Sequence, residues 1–115
     1  MANADVVAKD LQKGSAGLIV LSLLEVRPRH GYELAQMIEN GSGSQLKFHV
    51  SSLYPLLYRL ERQGLVEGRW VEKPGERRRR HYALTASGKK ALAAQRKTWR
   101  DFVEVLNRLT GFNHA

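Results

Sequence analysis

The chain has no cysteine among its 115 residues. That absence excludes a disulfide framework, a thiolate metal site and a cysteine nucleophile, and it is compatible with a reducing compartment. Long apolar runs are also missing: the longest, Leu18 to Leu24, falls far short of the roughly 20 residues a membrane-crossing helix needs. Asp5 and Asp10 are at odds with the positive start of a secretory signal, and no small-residue cleavage site follows Val26, so a cytoplasmic chain without a membrane partner is expected. The four histidines, His30, His49, His81 and His114, are scattered without the spacing of metal ligands, and no metal site is expected. No nucleophile, base and orienting residue fall into a catalytic arrangement, so neither an enzyme nor a cofactor is expected.

Positive charge, in contrast, is plentiful. Nineteen Lys and Arg against eleven Asp and Glu leave a net charge of +8. A field of that sign attracts polyanions, with DNA, RNA and acidic membranes all open on charge alone. The length suits one compact domain with a hydrophobic core of limited size.

Along the chain, Val6, Val7 and Leu11 have helical spacing within residues 4–12, Lys13-Gly14-Ser15 reads as a break, and a second apolar segment runs from Leu18 to Val26. This predicts a short arm followed by a first helix. Pro28 and Gly31 interrupt it, and Tyr32, Leu34, Ala35 and Ile38 pattern a second helix that stops at Asn40-Gly41. After an extended connector from Gln45 to Val50, Leu53, Leu56, Leu57 and Leu60 repeat as i, i+3, i+4, i+7, and Gly64 supplies a stop. The face opposite these leucines is centred on Ser51, Tyr58 and Arg62, flanked by Tyr54, Pro55 and Arg59. Pro55 lies beyond the first turn, where it removes a hydrogen bond and clashes with an earlier carbonyl. The regular helix therefore starts near Ser52, or its first turn is distorted.

Glu67 to Lys73 and Arg77 to Leu84 alternate as strands around Pro74-Gly75, which predicts a two-stranded hairpin. Between Arg69 and His81 stand six basic residues (Arg69, Lys73, Arg77, Arg78, Arg79, Arg80) and two acids, about half of the net charge. Alternate strand residues point to opposite faces, so two of the four consecutive arginines face away from any one surface. Thr85 is placed to cap a last helix on which Leu92, Trp99 and Leu106 recur seven apart, as do Phe102 and Leu109. So long an amphipathic helix on so small a domain needs a partner. The expected fold is mainly α with a small β-hairpin (α+β): a winged helix-turn-helix with an N-terminal helix over residues 1–85, then a dimerisation helix over residues 86–115.

The phrases His30-Gly31-Tyr32-Glu33-Leu34, Ser52-Leu53-Tyr54-Pro55 with Leu60-Glu61 and Gly64-Leu65, and Arg79-Arg80-His81-Tyr82 with Leu84-Thr85 and Gly88 resemble the PadR family of bacterial transcriptional regulators. The resemblance covers roughly Leu18 to Gly88. The single last helix is similar to that of the short subgroup, which implies a homodimer whose two winged helices face double-stranded DNA. It also implies that the third helix reads the major groove, with Ser51, Ser52, Tyr54, Tyr58, Arg59 and Arg62 toward DNA. Lys73 and Arg77 to Arg80 would hold backbone phosphates, joined by Tyr32 and Lys47. Each has a plainer reading: Tyr32 as a core aromatic, Lys47 as a surface charge, and the arginine run as a solvated face.

For the last helix, the resemblance implies dimerisation through Leu92, Trp99, Phe102, Val103, Leu106 and Leu109, and a small aromatic or lipophilic effector stacked on Trp99. The plainer reading of Trp99 is a filler of the seam. The functional expectation is a sequence-specific DNA-binding transcriptional regulator, a ligand-responsive repressor acting as a homodimer on an inverted-repeat operator. The alternative is a non-specific basic module for RNA or the nucleoid.

Overall fold

A computed structural model describes residues 7–112; Val6 and the arm before it, and His114, lie outside the described residues. The chain runs α1 (Lys9–Leu24), β1 (Arg29–His30), α2 (Gly31–Gly41), α3 (Val50–Arg62), β2 (Val66–Val71), β3 (Arg79–Leu84) and α4 (Ala86–Thr110). The three strands form one antiparallel sheet in the order β1-β3-β2.

Lys13-Gly14-Ser15 does not break the first helix. α1 runs straight through it, and the Ser15 hydroxyl folds back to donate to the Leu11 carbonyl at 2.8 Å. A glycine inside an exposed helical turn costs only about 1 kcal/mol relative to alanine. Burial of Val20, Leu21 and Leu24 on the same helix outweighs that cost. Gln12 is buried too, and its Oε1 accepts from the Lys47 backbone N–H at 3.3 Å, tying α1 to the connector before α3.

α2 starts where the histidine-glycine phrase predicts, and its cap is His30, whose Nδ1 accepts from the Glu33 N–H at 3.1 Å. α3 begins at Val50, two residues before Ser52, and Pro55 sits inside it. Its first turn is tightened: the N–H groups of Ser52 and Leu53 both donate to the His49 carbonyl, at 2.9 and 3.0 Å. The carbonyl that Pro55 leaves without its helical donor belongs to Ser51, an exposed residue that water can reach. All four patterned leucines of α3 are buried, and Gly64, at φ 77°, takes the left-handed turn that ends the segment.

The sheet differs from the expected hairpin in two ways. β1, two residues long, pairs Arg29 with Tyr82 and His30 with His81, adding a third strand too short to show any periodicity. Arg77 and Arg78 lie in the loop before β3 and not on the strand, so only Arg79 and Arg80 alternate across it. The core gathers residues of α1, α2, α3, β2, β3 and the start of α4 around Tyr82, which is fully buried.

Leu92 corrects the expectation for the last helix. It is 1% exposed and packed in the core of its own chain, so it is not part of a seam between chains. Thr85 caps α4 by accepting from the Gly88 N–H at 3.0 Å, while its hydroxyl donates to the Gly64 carbonyl at 2.6 Å. A Cβ at Gly88 would stand 2.0 Å from the Leu65 carbonyl oxygen, so only glycine lets α4 start this close to β2. Beyond Leu92 the helix leaves the core. The radius of gyration of 15.9 Å exceeds the about 13 Å expected of a compact chain of this length. Among the described residues, no helix is long and apolar enough to cross a membrane.

Candidate nucleic-acid interface

Because the leucines of α3 turn inward, Ser51, Ser52, Tyr58, Arg59 and Arg62 are exposed, with Tyr54 half-buried at the flank. Tyr54 leans on the start of α2: a Cβ at Gly31 would lie 3.0 Å from its ring, so the glycine makes room for the approach. The Tyr54 and Tyr58 rings are 6.0 Å apart. Tyr32, next along α2, is 50% exposed rather than a core aromatic, and the Arg79 guanidinium lies 5.6 Å above its ring. Tyr58, Tyr54, Gly31, Tyr32 and Arg79 thus form a continuous path from α3 past α2 to the wing. Lys47 is exposed at the connector, its backbone held by Gln12.

The arginine run divides into unlike members. Arg80 is not turned outward: its Nη2 pairs with Glu61 Oε2 of α3 at 2.6 Å, and its guanidinium crosses Gly68 between the rings of Trp70 and Tyr82. That position weighs against the expectation that Arg80 is a DNA contact, since one guanidinium nitrogen is committed to Glu61 and the side chain is only 25% exposed. Arg78 stacks on Trp70 at 4.5 Å and approaches Glu72 at 3.3 Å, so part of its charge is neutralised locally. Arg77 and Lys73 are exposed and have no ion-pair partner among the described residues.

Lys73, Arg77 and Arg79 share a notch of about 80 Å³ with His30, His81, Val71 and Glu76. The two imidazoles meet edge to face at 5.1 Å. Burial first, and then the charges of Arg79 and His81, hold the His30 imidazole below its ordinary value of 6.5. It is therefore neutral at pH 7, as its role as an acceptor requires. Burial likewise pushes the Tyr82 phenol up to about 12, so this group stays neutral.

On α4, Phe102, Val103 and Leu109 are exposed, Leu109 at 80%, while Trp99 and Leu106 are half-buried. Trp99 and Phe102 meet edge to face at 6.0 Å. Trp99 and Val103 also line an open hollow of about 690 Å³ with Leu18, Arg96, Arg100, Glu104 and Asn107. Arg96 is held to Glu25 at the end of α1 at 2.9 Å. Sequence reasoning missed Glu61 and His30 as organisers of the site. The only available signals were an acid on an otherwise basic helix end and a histidine immediately before a helical glycine.

A helix-turn-helix whose exposed face continues into a basic β-wing defines a winged-helix DNA-binding protein. The sequence pattern of the transcriptional regulator PadR-like family matches residues 20–94, and the chain belongs to that family. Its fold is similar to that of a transcriptional regulator from Clostridium thermocellum, with a TM-score of 0.83 and 27% identity over 91% of this chain and 99% of that one. A PadR family transcriptional regulator from Eggerthella lenta is 29% identical, with a TM-score of 0.79 over 90% of this chain and 88% of its own. Bacillus subtilis PadR, solved in complex with operator DNA, is 25% identical with a TM-score of 0.64, covering 70% of this chain and 45% of that one.

Proposed function

We propose that this chain is a homodimeric, sequence-specific repressor that binds an inverted-repeat operator and blocks transcription by occupying a promoter. α3 enters the major groove with Ser51, Ser52, Tyr58, Arg59 and Arg62 toward bases and phosphates, Tyr54 at its flank. Tyr32, Lys47, Lys73, Arg77, Arg78 and Arg79 hold the phosphate backbone. The observation that carries the reading is the path of aromatic and cationic groups from the exposed Tyr58 through the half-buried Tyr54 and the exposed Tyr32 to Arg79, which brings three elements to one surface. The operator complex of the Bacillus subtilis relative supports it.

The apolar strip of Phe102, Val103 and Leu109, with the half-buried Trp99 and Leu106, pairs with the same strip of a second copy, setting the two α3 helices about one helical turn of DNA, roughly 34 Å, apart. An aromatic or lipophilic effector enters the hollow beside Trp99 and favours a dimer spacing that fits the operator less well. The test is selection of bound sites from a random duplex library, followed by competition. A regulator prefers its selected site over random duplex by about a thousandfold or more. Equal binding to both, or a monomer at micromolar concentration in the ultracentrifuge, refutes the proposal; equal binding favours a non-specific basic module.

A further inference from the structure

Glu61 stands at the end of α3, and its half-buried carboxylate reaches toward the sheet. Its Oε2 takes the Arg80 guanidinium at 2.6 Å and the Gly68 backbone N–H at 3.2 Å. One carboxylate therefore gathers the helix, strand β2 and strand β3. The arginine can lie there only because residue 68 has no side chain: a Cβ would come within 2.5 Å of Arg80 Nε. Trp70 and Tyr82 flank the guanidinium at 5.8 and 5.7 Å, limiting where it can swing.

The pair is a weak source of stability, because the two side chains remain 25% and 30% exposed and such pairs contribute little in water. What the geometry supplies is direction. The wing is a long hairpin held to the rest of the domain at its base, and this three-way junction is where it meets the helix that reads DNA.

We propose that Glu61 and Arg80 are positioning residues, which touch no DNA themselves and fix the angle between α3 and the wing that an operator demands. The inference rests on the DNA-binding reading above. Random duplex, held by charge alone, tolerates a range of angles. A specific site must be met in the groove and on the backbone at once.

The two roles open to these residues predict opposite signs. Removing an acid from a DNA-binding surface ordinarily strengthens binding, and freeing Arg80 would add a phosphate contact and steepen the salt dependence. If the pair sets the angle, Glu61→Gln lowers affinity for the selected operator by about tenfold, leaves random duplex within about twofold, and does not change the slope of log affinity against log salt. Arg80→Gln behaves in the same way, and Arg80→Lys, which keeps the charge opposite Glu61, restores most of the loss.

Circular dichroism and melting temperatures, expected within about 5 °C of the parent, establish that the variants fold. If Arg80→Gln unfolds, Glu61→Gln with Arg80→Lys carries the test. Unchanged or tighter operator binding by Glu61→Gln overturns the proposal. So does a slope that falls by about 0.9 in Arg80→Gln, the signature of a lost phosphate contact. Failure of the parent protein to prefer any selected duplex refutes the regulatory reading itself, an outcome separate from the behaviour of the variants.

Discussion

Arginines adjacent in sequence differ in what their charge is committed to. Arg80 is bound to an acid 19 residues away, while its neighbour Arg79 lies over the ring of Tyr32 on the exposed path. Arg77→Ala is therefore expected to weaken operator and random duplex alike and to reduce the salt slope by about 0.9, as measured by fluorescence anisotropy over a salt series. Sequence reading recognised the run as basic but could not rank its members, because the partner that removes Arg80 is on another element. His30 has the same character: its neighbours suggest nothing beyond a helix start, whereas its Nδ1 is the acceptor that caps α2. Its folded value lies below 6.5, so on acidification the unfolded chain takes up the proton first. The stability this group contributes is fully present above about pH 6.5 and declines as pH falls from there toward the lowered folded value. His30→Asn keeps a capping side chain without the titration. Calorimetric melting of this variant is expected to depend less on pH between about 7 and 5 than that of the parent.

At the scale of elements, what could be read from sequence followed from the length of each pattern. Four leucines at helical spacing announced α3, and all four are buried. β1, with two residues, has no period to read and exists only because β3 offers it a ladder. The apparent break at Lys13-Gly14-Ser15 was a local signal overridden by packing further along α1. In α4 the heptad was legible but its allegiance was not: Leu92 and Leu109 read alike, yet one is 1% exposed and the other 80%. Leu92→Ala is expected to cost about 2–5 kcal/mol in urea unfolding through the cavity it leaves. At the other end of the helix, Leu109→Glu is expected to preserve helix content and to shift the sedimenting species from dimer to monomer, with operator affinity falling together with it.

The whole molecule, with extents of 53 × 37 × 22 Å, is one core with a rod attached. α4 is clamped at its root by the Gly64–Thr85–Gly88 contacts and by Arg96 against Glu25, and beyond Trp99 it carries an apolar strip outward. Its 25 residues reach about 37 Å at the helical rise. Such a rod behaves as a lever arm. A tilt of about 5° at a fulcrum near Leu92, about 27 Å from the end of the helix, carries the far tip about 2 Å while the close-packed neighbours of Leu92 scarcely move. Two of these arms laid against each other would turn a slight wedge at their crossing into a change in how far apart the paired reading heads stand.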